Sequence, residues 1–415
     1  MALIKDTDTY LQYRYTVSEF KAMIGSEVIE FDPGKIRDIS IEKNFEEDFF
    51  PLLKVVVITN ETTYRHILQN KNTAKFKFRL QQYSRLFHDP NTESMKKDAI
   101  NQTFVIFTDD DTPDMSEKVT DLKTKTDDIE GQSLMQDDYE AEFYLFREDY
   151  IQNTKKLCHG LLTRCNMETA VAWLCGKVGI DKLLLSPMDN RQIYAPVVIP
   201  QDTFINCLNF LDNWYGFYKN GAIKFFDFDC MYLLNYTAKT TTWRPGEVTE
   251  GVIFVLDEIV SEEQYSLQLK RENDPKHYIT TGHNFVEING TTSVQDVISG
   301  SNIDVINSQT SSVSHTSGGG SNTKVYRSTN KNPYDSTTFA AISKANSCVI
   351  SCGLGSVDLS IISPNKKFQF VFEDTSLNSR YGGWYKMSQS QISFQKEGDF
   401  FTIAVAGTFK CFKDL

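Results

Sequence analysis

The chain has 415 residues, a formal net charge of −12 and a pI near 5.1. Hydrophobic residues at 40% and aromatics at 13% exclude a wholly disordered chain, and the length predicts two or three domains. The acidic balance argues against binding nucleic acid by phosphate neutralisation, and no apolar run approaches the roughly 20 residues of a membrane span.

Met1-Ala2-Leu3-Ile4-Lys5-Asp6-Thr7-Asp8 lacks the apolar stretch of a signal peptide, so folding in a reducing cytosol is expected. The 29 Phe and 19 Tyr favour pleated surfaces over helix bundles. Strands are predicted at Ile36–Ile41, Leu53–Ile58, Phe76–Leu80 and Thr103–Phe107. In the third, Phe76, Phe78 and Leu80 point one way and Lys75, Lys77 and Arg79 the other, as in a half-buried antiparallel strand. Residues 109–140 are polar and acidic, which predicts a long loop or mobile excursion. Its run Asp109-Asp110-Asp111-Thr112-Pro113-Asp114 lacks the glycine and closing glutamate of a calcium loop and reads as a solvated turn.

Order resumes at the strand Glu142–Phe146. A helix capped by Asn166 runs through Ala170, Val171, Trp173 and Leu174 to Gly176 and Gly179. A second opens at Pro200-Gln201-Asp202-Thr203 and buries the stripe Phe204, Leu208, Leu211 and Tyr215 before Gly216. Trp173 and Trp214 are placed in helical core positions. Asn220-Gly221, between Phe217-Tyr218 and Ile223-Lys224-Phe225-Phe226, predicts a two-residue hairpin turn. Further strands are expected at Val252–Leu256, Tyr265–Leu269 and His283–Ile288. Residues 291–335 are rich in Ser, Thr, Asn and Gly and predict a flexible insertion with too little apolar surface to pack. Phe368–Phe372 alternates, and Ser390–Phe394 with Phe401–Val405 flank Lys396-Glu397-Gly398-Asp399 as a hairpin.

The cysteines Cys158, Cys165, Cys175, Cys207, Cys230, Cys348, Cys352 and Cys411 form no CxxC pair and read as buried free thiols. The nearest approach to a zinc set is Cys158-His159 with Cys165, which falls short of paired ligands at tight spacing. Phe225-Phe226-Asp227-Phe228-Asp229 looks like the opening of a haloacid-dehalogenase-type phosphatase loop. That loop continues with Gly-Thr on a parallel strand, whereas Cys230-Met231 follows here; both carboxylates are therefore expected on the polar face of a strand, at the surface or in a lumen. No phosphate-loop, GxSxG, HExxH or dinucleotide pattern occurs.

Three segments stand in a telling order. The first runs from Ile39-Ser40-Ile41 through Asn44-Phe45-Glu46-Glu47-Asp48-Phe49-Phe50-Pro51 to Leu53-Lys54-Val55-Val56-Val57. The second comprises Leu185-Ser186-Pro187-Met188-Asp189-Asn190, Val198-Ile199-Pro200, Phe210 to Tyr218, Phe226-Asp227-Phe228-Asp229 and Tyr232-Leu233-Leu234. The third joins Tyr381-Gly382-Gly383-Trp384-Tyr385 to Gly398-Asp399-Phe400-Phe401-Thr402. Together they resemble the central baseplate hub proteins of contractile-tailed bacteriophages, over about two thirds of the chain.

The resemblance implies a structural virion protein, a homotrimer that contacts the tail tube protein, the central spike protein and other baseplate proteins. It implies no catalytic, cofactor-binding or metal-binding residue and no cofactor. DNA would pass through the acidic lumen without specific binding, and no stable membrane insertion is expected. The location would be the tail baseplate of the virion, after a stage in the host cytoplasm.

The expected fold class is α+β, mainly β, with two antiparallel tube-type β-barrels flanking a small α/β middle domain. The expected boundaries are 1–110 for the first barrel and 111–140 for the acidic excursion. The middle domain takes 141–245, its hairpin strands available to complete the first barrel. The second barrel starts at 246–290, is interrupted by the insertion at 291–335, and is completed by 336–415. Two rival readings are a host-surface or carbohydrate-binding tail protein, and a cryptic hydrolase using Asp227 and Asp229.

Overall fold

The first long strand, β1 (Thr9–Ile24), changes face midway. Tyr13, Tyr15 and Val17 point inward; after a bulge between Val17 and Glu19, Phe20 and Ala22 do so. One extra residue shifts the period-two pattern by one, which hides this strand from a search for simple alternation. The structure is a computed structural model that describes residues 3–87, 89–106, 138–236, 247–257, 267–289, 302–308, 311–317, 323–329 and 331–411.

β2 (Glu27–Glu30) folds back on β1, and β3 (Ile36–Asn44) and β4 (Leu52–Asn60) follow. The short helix α1 (Glu61–Gln69) starts where Asn60 Oδ1 accepts the Thr63 amide at 2.7 Å, a side-chain cap that sets its first turn. β5 (Lys75–Leu86), β6 (Asp89–Ile106) and β7 (Asp138–Arg147) extend the sheet. Phe76, Phe78 and Leu80 are fully buried, as their alternation requires. The acidic excursion lies outside the described residues except for 138–140, which open β7 and are strand.

The next stretch packs partly around a core of its own and partly, through Leu184, Ile223, Phe225, Tyr232 and Leu234, into the core shared with the other strands. Its elements are α2 (Glu148–Thr154), β8 (Leu157–Leu162), α3 (Met167–Val178), β9 (Leu183–Leu185), β10 (Val197–Thr203), α4 (Phe204–Tyr215), β11 (Ala222–Phe226) and β12 (Met231–Asn235). Both predicted helices are present. Asn166 caps α3 through the Thr169 amide at 2.9 Å, and Gly179 closes it at φ 91°. Gly176 lies inside that helix and does not stop it. Phe204, Leu208 and Leu211 form the buried stripe of α4. Trp214 is 42% exposed, however, and Trp173 only partly buried, so neither is the core residue expected.

The Asn220-Gly221 hairpin is also corrected. Phe217-Tyr218 is not a strand, and the real hairpin joins β11 to β12 across Asp227–Cys230. Helix α4 ends too close to Gly221 to leave room for a strand, and Gly221, at φ 95°, turns the chain from the helix into β11. β12 pairs on its other side with β9, in parallel, so these strands form their own three-stranded sheet and do not complete the first barrel. β7, which the expected boundaries gave to the middle domain, instead joins β4 to β6.

The remaining elements are β13 (Glu250–Leu256), β14 (Gln268–Arg271), β15 (Asp274–Gly282), β16 (Val286–Asn289), β17 (Asn302–Asn307), β18 (Ser312–Thr316), β19 (Thr323–Ser328) and α5 (Asp335–Ala345). They are followed by β20 (Val349–Gly355), β21 (Lys367–Phe372), α6 (Thr375–Tyr381), β22 (Gly383–Glu397) and β23 (Phe400–Cys411). The strand expected at His283 begins at Val286, after a 3-10 turn. The expected flexible insertion contains the three-stranded sheet β18-β17-β19. Its apolar contacts come partly from beyond the segment: Tyr326 stacks on Phe339 of α5 at 5.0 Å, and Val305 packs with Ala340. Composition within the window could not register a partner outside it.

Strands from both ends of the chain share one fifteen-stranded sheet in the order β14-β15-β13-β21-β22-β3-β4-β7-β6-β5-β1-β23-β20-β16, with β2 off this path on β1. Because β14 also pairs with β1, an eleven-strand circuit closes. β23 pairs with β22 along its length, with β20, and with β1 at Tyr15 and Phe401. Pairing is not all antiparallel, as expected, because β13 runs parallel to both β15 and β21. Residue alternation reports which face is buried and says nothing of strand direction.

Candidate functional site

The Asp-x-Asp segment was the one sequence pattern with possible chemistry, and the fold gives it a different task. Asp227–Cys230 is the tight turn between β11 and β12, closed by the Asp227 amide donating to the Cys230 carbonyl at 3.0 Å. In β3, Ile39, Ile41 and Lys43 share one inward row, so the backbone aims a lysine where an apolar residue would usually stand. Lys43 Nζ donates to both carboxylate oxygens of Asp227 at 2.8 Å and to the Ile362 carbonyl at 2.9 Å. Both side chains are almost fully buried.

Two further barrel strands grip the turn. The Phe228 carbonyl accepts Gln102 Nε2 from β6 at 3.1 Å and Arg147 Nη1 from the end of β7 at 2.7 Å. The Phe228 ring meets Phe104 edge-on at 6.1 Å, under the Lys43 ammonium. The turn is thus a docking tongue that fixes the middle unit to the amino-terminal strands. Asp227 is buried, not on a strand's polar face as expected; Asp229 remains exposed. Burial pushes the Asp227 carboxyl above the usual carboxylate range, against the pull of the Lys43 charge, with Asp229 adding to the rise. As a nucleophile it is poorly placed, since both oxygens are engaged and the chain continues into an antiparallel strand with no helix behind the loop.

A cavity of about 740 Å³ opens beside the tongue. Several of its charged groups are already engaged. Asp229 accepts from the Tyr232 hydroxyl at 2.8 Å, Asp358 meets Lys97 at 3.3 Å, and Lys366 meets Glu247 at 3.0 Å. A second hollow of about 720 Å³ crosses β3, β22, β23, β20 and β16 and is lined by polar side chains such as Glu42, Gln389, Thr408 and Glu287. Neither hollow gathers a nucleophile, a base and an orienting group of the kind acyl or phosphoryl transfer needs. Among the described residues no group of three or more His, Cys, Asp and Glu is placed to hold a metal. Cys158 points into the core while His159 points out, so they cannot share an ion. All eight cysteines are buried free thiols. Burial raises them, Cys207 to about 11 and Cys175 to about 12.

What the architecture defines is a mainly β protein with the fold of a solved structure described as the tail protein from Neisseria meningitidis MC58. The two match with a TM-score of 0.50 at 7% identity, over 96% of each chain. The chain belongs to the Bacteriophage PBS1 gene 109 protein family, whose model matches residues 22–404. It is also similar to a 43 kDa tail protein of prophage MuSo2 from Shewanella oneidensis (TM-score 0.48, 9% identity, 94% of this chain and 96% of that one). A third similarity is to an Escherichia coli component of the type VI secretion system (TM-score 0.44, 6% identity, 95% and 77%). No curated protein matches the chain.

Proposed function

We propose that the chain is the central hub of a phage tail baseplate, joining the tail tube to the spike as a ring of three copies around the DNA channel. The observation behind this reading is the eleven-strand circuit built from both chain ends and bridged by β23. Such a circuit supports two barrels with a shared wall in each copy, one bounded by the amino-terminal strands and one by the carboxy-terminal strands. Three copies would then present six barrels to a six-fold tube and remain three-fold toward a spike. The net charge of −12 suits a lumen through which phosphate backbones slide without being held. The role is structural, exercised in the virion tail after a stage in the host cytoplasm.

The adhesin reading receives less support. Trp214, the most exposed aromatic candidate for sugar stacking, has the Lys331 ammonium 3.8 Å from its ring centroid and Phe210 stacked at 5.4 Å. The hydrolase reading suffers from the engagement of Asp227 by Lys43.

The test is electron microscopy of phage tails carrying a tagged chain, together with sedimentation of the purified protein. The expected result is a three-fold ring of 47.5 kDa chains between tube and spike. A tag on the fibres or the capsid would overturn the assignment.

A further inference from the structure

The antiparallel pair β8–β10 stands apart from the large sheet, and among the described residues each strand pairs only with the other. Its inner face belongs to the core of the middle unit through Cys158, Val197 and Ile199, which pack with α3 and α4. Its outer face is open to solvent and mostly aliphatic, with the exposed His159 between two leucines. Leu157, Leu161 and Val198 are 66%, 63% and 51% exposed, and Leu161 lies directly across the strands from Val198. Ile193, at the end of the sheet where Cys165 bridges Tyr194, is 66% exposed.

The charge around this face is the reverse of the chain's. Residues 155–166 and 191–201 contain no Asp or Glu, although the whole chain has 55 acidic residues against 43 basic ones; the one carboxylate of β10, Asp202, lies at its far end and accepts from the Thr203 amide at 2.7 Å and from Asn206 of α4 at 2.8 Å. Lys155, Lys156, Arg164 and Arg191 are all exposed there. Aliphatic side chains inside a basic rim on an acidic protein form a contact surface for something apolar and negatively charged.

We infer that the outer face of β8–β10 is a docking surface for a different protein, one that presents aliphatic side chains flanked by carboxylates. This rests on the hub reading for its setting, because a hub must hold partners other than the tube. A nucleic acid is disfavoured by the net charge of −12 and because the face offers a single imidazole, His159, among aliphatic side chains on which bases could not stack. A second copy is disfavoured because the hollow across β3, β22, β23, β20 and β16 is lined mainly by polar side chains and would leave the leucines facing polar groups. The free edges of β8 and β10 would let an extended acidic segment add as a strand, supplementing side-chain contacts with backbone hydrogen bonds.

The experiment has two arms. In the first, purified protein is titrated with a fluorescent twelve-residue peptide of alternating Glu and Leu, with Lys-Leu and Glu-Ser peptides and anionic phosphatidylglycerol vesicles as comparators. Saturable binding of the Glu-Leu peptide alone is expected, weakened about tenfold by Leu161→Asp, by the double variant Lys155→Glu with Arg164→Glu, and by raised salt. Both sets of changes are at the surface, and circular dichroism identical to the parent confirms the fold. Equal affinity for all peptides, indifference to the variants, or preference for the vesicles would overturn the inference. In the second arm a photo-crosslinking amino acid replaces Leu157 in chains assembled into tails. A crosslink to another tail protein, within a segment rich in Asp or Glu and aliphatic residues, is expected. A crosslink to a second copy of this chain, or none, would overturn it while leaving the hub assignment standing; absence of the chain from tails would defeat the hub reading instead.

Discussion

Lys43 illustrates how a single residue ties distant parts of this chain together. Its ammonium bonds Asp227 and the Ile362 carbonyl, residues 184 and 319 positions away in sequence. Removing one partner of a buried pair leaves the other charge uncompensated, so Lys43→Met should cost about 3–5 kcal/mol. The double change Lys43→Met with Asp227→Leu should recover much of that loss, because neither charge then remains. Denaturant midpoints of the two variants, compared with the parent, check both statements. Asp8 gives a pH dependence of known sign. Burial works to raise its carboxyl, but hydrogen bonds from Arg271 and the Lys5 amide, with the Arg271 charge, hold it below the usual range. A depressed folded value means that its contribution is present above the unfolded value of about 3.9 and is lost as pH falls through the folded one. Acid melting curves should therefore steepen below about pH 4 in the parent relative to Asp8→Asn. An Asp8→Asn curve that loses stability with the parent's slope would show that this carboxyl does not contribute.

At the level of single elements, bulges decide which side of a long strand is buried. In β22 the inward residues are Tyr385 and Met387 before the irregularity between Met387 and Gln389, and Ser390, Ile392 and Phe394 after it. β1 uses the same device at Val17 and Glu19. In each strand the apolar residues on both sides of the irregularity, Tyr15 and Phe20 in β1 and Met387 and Ile392 in β22, belong to one continuous core. Glycine has a comparable local role in β8. A Cβ on Gly160 would fall 2.7 Å from the Trp173 ring, so Gly160→Ala should push that ring off α3 and destabilise the middle unit by about 1–3 kcal/mol. Trp173 fluorescence and the thermal midpoint report it. An unchanged midpoint would mean that the ring can move aside freely.

For the whole molecule, the shared sheet makes a prediction about cooperativity. Both chain ends meet along the β22–β3 pairing, from Gln389 with Asn44 to Phe394 with Ile39. If the ends cannot unfold independently, calorimetry should show the amino- and carboxy-terminal strands melting in one transition. Two well-separated transitions assigned to the two ends would contradict this coupling through the shared sheet. The −12 charge yields a second expectation, that purified protein retains no duplex DNA on a filter at physiological salt.

Much of the local structure was legible in the chain. Phe76-x-Phe78-x-Leu80 announced a strand, Asn166 and Gly179 bounded a helix, and scattered apolar cysteines announced buried thiols. These signals are local because capping, side-chain period and turn chemistry act within a few residues. The hairpin at Asn220-Gly221 was misread because a neighbouring helix took the residues that a strand would have needed. The fate of Asp227 could not be read at all, since its partner Lys43 belongs to a distant strand whose inward phase follows from a bulge between Ile36 and Asp38. Residue types and spacing determined which segments are strands and helices, and that the protein is mainly β. Only the tertiary structure decided that both ends share one sheet, that β13 runs parallel to its neighbours, and that an Asp-x-Asp pattern is a docking tongue. Pairing partners and burial depend on segments far apart in sequence, and no local pattern encodes which of many compatible strands will meet.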